Sequence, residues 1–93
     1  MNQALNFLGI LNRAKKLRIG EEVFHSRKGG LLILATDVAP AQKKKLLDLA
    51  SPNIEISRTF TKEQLGSALG YEELSAILLE DKKAAKAYLA KLV

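Results

Sequence analysis

Leu31-Leu32-Ile33-Leu34-Ala35 is a continuous apolar run, closed at one end by Gly29-Gly30 and at the other by Thr36-Asp37. Five apolar residues with no polar alternate describe a strand covered on both sides, which belongs in the centre of a sheet. Leu74 to Leu79 reads as a second buried strand. Two such strands require helices on both faces, and the rest of the chain supplies them.

Upstream, Ala4, Leu5, Phe7, Leu8, Ile10, Leu11 and Ala14 recur at helical spacing from Asn2 onward. Leu17-Arg18-Ile19 then alternates briefly and stops at Gly20, as a short edge strand does. Glu21 and Glu22 complement the positive end of a helix dipole, and Lys28 with Gly29-Gly30 supplies stop signals, so the spacing predicts a short helix over 21–28. Downstream, Asp37 and Pro40 open a helix expected to turn Leu46, Leu47, Leu49 and Ala50 to the core and Lys43, Lys44 and Lys45 to water; Ser51-Pro52-Asn53 ends it. Ile54 to Phe60 begins with period-two alternation. Thr61 and Gln64 form a capping box for a helix closing at Gly70. Asp81 starts a last helix with Ala85, Leu89 and Leu92 as its buried stripe. Strands alternating with helices predict one α/β domain over residues 1–93, a three-layer α/β/α sandwich.

With 93 residues there is material for one core only. The absence of cysteine removes disulfides, thiol nucleophiles and zinc knuckles, and a single histidine offers no imidazole pair for a metal, so no cofactor is expected. No apolar run approaches the ~18 residues of a membrane span, and Met1-Asn2-Gln3 does not open a signal peptide, so a cytoplasmic protein with no membrane partner is expected. No strand is followed by a glycine-rich loop of the P-loop or dinucleotide type.

The formal charge of +5 is unevenly placed: residues 1–45 hold nine Lys and Arg against three acids, the remainder six against seven. A one-sided positive field attracts polyanions through counterion release, although it also serves plain solubility.

Several segments resemble, in order, small bacterial paralogues of the archaeal ribosomal protein L-seven-Ae. They are Leu5-Asn6-Phe7-Leu8-Gly9-Ile10-Leu11, Arg13-Ala14-Lys15-Lys16-Leu17, Gly20-Glu21-Glu22 and Leu34-Ala35-Thr36-Asp37-Val38-Ala39-Pro40. The strongest is Lys62-Glu63-Gln64-Leu65-Gly66-Ser67-Ala68-Leu69-Gly70, which is similar to the family's Lys-x-x-Leu-Gly-x-Ala-x-Gly pattern. The resemblance implies a mixed, four-stranded sheet and a non-catalytic, ribonucleoprotein role in the ribosomal and translation machinery. It implies as partner a structured RNA, above all the kink-turn, a bent helix with tandem sheared G·A pairs; the ribosome is a further partner, and the protein is expected to be a monomer.

The family reads sheared pairs with a Gly-Thr-Asn-Glu segment. Here Gly20 matches the glycine, while Glu21, Glu22 and Val23 stand where Thr, Asn and Glu would. Lys62 occupies the family's basic position, and Tyr71-Glu72-Glu73 replaces an apolar loop that lies against flipped bases. From Gly20 to Ala35 the chain is about four residues shorter than the resemblance implies.

The candidate RNA-binding residues are therefore Lys16, Arg18, Gly20, Glu21, Glu22, Lys28, Lys62 and Tyr71. Gly20 either bares backbone amides or makes a turn. Glu21 and Glu22 either accept from guanine or stabilise a helix start by ~0.3–1 kcal/mol each. Lys15, Lys16, Arg18, Arg27, Lys28 and Lys62 suit phosphates, and Tyr71 suits a stacked base. Lys43-Lys44-Lys45 reads as a solvated face, His25 as a partly buried helix residue, and the pairs Glu72-Glu73 and Glu80-Asp81 as loop and cap residues in preference to catalytic ones. The alternative function is a protein-interaction or structural module that has kept the fold and lost RNA recognition.

Overall fold

The computed structural model describes residues 3–19, 30–49 and 54–92, and the helix expected over 21–28 lies outside them. In chain order the elements are α1 (Gln3–Arg13), β1 (Leu17–Ile19), β2 (Leu31–Leu34), α2 (Pro40–Leu49), β3 (Glu55–Ser57), α3 (Lys62–Leu69), β4 (Ala76–Leu79) and α4 (Lys82–Ala90). Among the described residues the strands form one mixed sheet in the order β1-β4-β2-β3. β4 runs antiparallel to both β1 and β2, and β2 pairs parallel with β3. A parallel pair needs a crossover, which α2 provides.

The two apolar runs are the two central strands, and every residue of both is buried. Leu32 and Leu78 point to one face while Ile33 and Ile77 point to the other, yet none of the four is more than 3% exposed. Both faces are therefore covered. α1, α3 and α4 pack together as one layer. α2 stands outside that layer and contributes Val38, just before it, and Leu46 to the core from the opposite side. The result is an α/β/α sandwich, as expected.

Three helices turn differently from the expected stripe. On α1 the buried set is Ala4, Leu5, Leu8 and Leu11, and Ile10 is 53% exposed. On α2 Leu46 is buried but Leu47, expected in the core, is 38% exposed, about 100° further round the helix and at the edge of its buried face. On α4 the core residues are Ala84, Ala85 and Tyr88, with Leu89 and Leu92 only half-buried against them.

Tyr88 is fully buried, and among the described residues its hydroxyl has no partner with hydrogen-bonding geometry. Burial pushes its pKa up to about 12, partly countered by the nearby Ser57 hydroxyl on β3.

At position 30 glycine is required by the sheet, whereas its expected part as a helix stop concerns residues outside those described. Gly30 has φ +157°, and a Cβ there would stand 2.0 Å from the Leu79 carbonyl oxygen. No side chain fits where the chain enters β2 so close to the end of β4.

Candidate functional site

β1 and β2 point the same way, since each is antiparallel to β4. Their C-terminal ends, the start of β4 and the loop before it thus share one end of the sheet. α3 begins at that end, and its first turn is held from three directions. Thr61 accepts from the Gln64 N–H while the Gln64 side chain accepts from the Thr61 N–H, the reciprocal capping box expected from the sequence. Asp37, in the loop leaving β2, accepts the Lys62 N–H at 2.8 Å through Oδ1. The Leu74 N–H donates to the Lys62 carbonyl at 3.0 Å.

This geometry explains the Leu65-Gly66 pair chemically. Leu65 is a fully buried core residue. A Cβ on Gly66 would meet the backbone nitrogen and Cα of Glu73 at 2.7 Å, so the glycine lets the loop fold back onto the helix. The Tyr71 N–H donates to the Gly66 carbonyl, and Gly70 closes the helix in the left-handed conformation at φ +86°. With its backbone anchored on both sides, the loop sets Tyr71 at 49% exposure and places the Glu73 Oε2 3.8 Å from the Lys62 ammonium.

From Tyr71 an open groove of about 690 Å³ runs along β1. Arg18 and Ile19 line its middle, and Asn12, Lys15, Lys16 and Asp81 its far end. That far end is built by the turn closing α1. Lys15 N–H donates to the Asn12 carbonyl and Lys16 N–H to the Leu11 carbonyl, a Schellman turn. The left-handed residue of such turns is usually glycine, but here it is Lys15, at φ 59°. A side chain in this conformation costs roughly 1–2 kcal/mol, so the turn holds a cation at the groove mouth under backbone strain.

Of the expected site residues, Lys16, Arg18 and Tyr71 line this one groove, while Lys62 lies outside its lining, at the start of α3, where it meets Glu73 of the loop that carries Tyr71. Gly20, Glu21, Glu22 and Lys28 lie outside the described residues. Lys15 and Asn12 line the groove too, although the sequence does not single them out as a pair; a helix ending in Arg-Ala-Lys-Lys without a glycine is the signal available for Lys15.

The cations do not form an unbroken positive strip. Arg18 Nε donates to Glu80 Oε1 at 2.8 Å, and Lys16 Nζ lies 3.8 Å from Asp81 Oδ2, so with the Lys62–Glu73 contact three of the expected phosphate ligands, Lys16, Arg18 and Lys62, each have a carboxylate at hand. Asp81 also caps α4 by accepting the Lys83 N–H, and Asp37 is engaged at α3. Of the paired acids in the sequence, Glu73, Glu80 and Asp81 thus serve as cap or ion-pair partners. No described helix is long and apolar enough to cross a membrane.

The fold and groove define a small three-layer α/β/α domain with a mixed-charge cleft beside its edge strand. No family model matches the chain, and no curated protein is similar to it. A solved structure of a protein with unknown function from Bacillus halodurans C is similar, with 30% identity over 99% of this chain and 98% of that one and a TM-score of 0.84. The chain belongs to the same family as that protein.

Proposed function

We propose that the protein is a non-catalytic RNA-binding protein of the ribosomal and translation type, acting in the cytoplasm and recognising kink-turn-like structured RNA at the β1 groove and the start of α3. The observation that carries this reading is the convergence of Lys15, Lys16, Arg18 and the half-exposed Tyr71 on one groove. A backbone runs over the cations while a base unstacked at the bend lies on the tyrosine ring. The resemblance to the kink-turn family, whose basic position is Lys62, supports the same placement.

The ion pairs do not forbid this. Exposed pairs contribute only ~0.2–1 kcal/mol each, so exchanging a carboxylate for a phosphate is inexpensive and is favoured by released counterions. They do favour a second reading, in which a protein partner presenting both charge signs occupies the groove and RNA recognition has been lost.

Titration of two RNAs at one fixed salt concentration separates the readings. One RNA is a kink-turn, the other the same sequence with its G·A pairs disrupted. The protein is expected to bind both, with modest preference for the kink-turn. Glu22→Asn with Val23→Glu is expected to sharpen that preference, since each good base contact is worth ~1–3 kcal/mol of discrimination. Lys62→Ala is expected to weaken both RNAs alike. No binding of either RNA at micromolar protein and physiological salt would transfer the groove to a protein partner.

A further inference from the structure

We propose that Glu73 is a specificity-determining residue: its carboxylate is a built-in competitor for the Lys62 ammonium, and it screens that lysine from polyanions unable to displace it. The biological meaning of this proposal rests on the RNA reading above, but the contact itself does not.

The placement of Glu73 follows from the backbone. The loop from Gly70 to Ser75 is pinned by Tyr71 N–H to the Gly66 carbonyl and by Leu74 N–H to the Lys62 carbonyl. Between these anchors the chain touches α3 so closely that only glycine fits at position 66. Residue 73 is thereby held over the first turn of α3, and its side chain meets Lys62 at 3.8 Å. Glu72, its neighbour in the same loop, is likewise exposed. On the other side, Asp37 already occupies the Lys62 N–H and Thr61 the Gln64 N–H, so Lys62 meets an incoming phosphate with its ammonium and not with its backbone.

The side chains are unequally accessible: Lys62 is 29% exposed and Glu73 63%. An approaching polyanion meets the carboxylate first. A ligand bound only by its charge must pay to separate the pair, whereas an RNA that also stacks on Tyr71 and follows the β1 groove recovers that cost elsewhere. A penalty applied to every polyanion and offset by one shape is a means of discrimination, because specificity is a difference of affinities.

The test is a double-mutant cycle read with heparin and with RNA, using the full chain. Glu73→Gln keeps the shape of the side chain and removes its charge. Glu72→Gln makes the same change of net charge one residue away. Each is made with Lys62 present and with Lys62→Gln. Freeing this half-buried lysine is expected to raise heparin affinity about two- to five-fold for Glu73→Gln. That gain is expected to vanish in the Lys62→Gln background, while Glu72→Gln gives a smaller gain that is the same in both. Equal gains from the two glutamate variants, or a Glu73→Gln gain that survives Lys62→Gln, would overturn the proposal. Among RNAs, Glu73→Gln is expected to raise binding of a plain A-form duplex more than binding of a kink-turn of equal length; equal or opposite changes would also overturn it. Failure of the unaltered protein to bind any RNA would instead remove the RNA reading and leave the heparin cycle to decide the Lys62–Glu73 competition.

Discussion

The start of α3 and the end of α1 both border the candidate site, yet they are built on opposite terms. At α3 the local groups have partners: a capping box, a carboxylate from the β2 loop, a returning backbone N–H and a glycine at the point of closest approach. At α1 the hydrogen bonds of a Schellman turn are also in place, but the left-handed position carries a lysine in place of glycine. The first site is relaxed and over-determined. The second holds strain and directs a positive charge into the groove. A fold positions its loops with the former and recruits function with the latter, where local preference is sacrificed.

The largest expected effect comes from breaking the relaxed side. Gly66→Ala adds a methyl group against the Glu73 backbone, where the available distance is 2.7 Å. Helix propensity alone favours alanine by ~1 kcal/mol, but overpacking a buried backbone contact costs ~1–3 kcal/mol, so a net loss is expected. Thermal unfolding is expected to shift down by several degrees, at ~4–8 °C per kcal/mol for a domain of this size. An unchanged or raised Tm would mean that the loop does not need its close seat on α3.

A smaller effect of opposite sign is expected on the strained side. Lys15→Gly relieves a left-handed side chain but adds freedom to the unfolded chain, leaving a net gain of roughly 0.5 kcal/mol. The same change removes a groove cation, so RNA affinity is expected to fall while stability rises, with the slope of log affinity against log salt reduced by about one. Stability and binding moving together would show that Lys15 is an ordinary turn residue.

The two regions also differ in how well they can be read from the sequence. Thr61 and Gln64 declare the start of α3 because a capping box spans only four residues and its partners are local. The buried strands declare themselves through unbroken apolar runs. The countercharges do not: Arg18 meets Glu80 across β1 and β4, and Lys62 meets Glu73 only because Gly66 lets the loop return. Those pairings depend on sheet order and loop closure, and they turn an expected positive strip into an alternating one. The helix stripes fail more narrowly. Leu47 and Ile10 extend apolar runs that hydropathy counts as inward, although both are exposed, and Tyr88 fills a place that the leucine pattern assigns to Leu89.

On the proposed reading, the groove along β1 and the start of α3 form one RNA-binding surface. Amide chemical-shift mapping of the labelled protein, titrated with kink-turn RNA, tests it most directly. Shifts are expected at Lys15, Lys16, Arg18 and Ile19 and again at Lys62 and from Tyr71 to Leu74, with α2 and β3 unmoved. Shifts confined to α2 and β3, or none at saturating RNA, would contradict it.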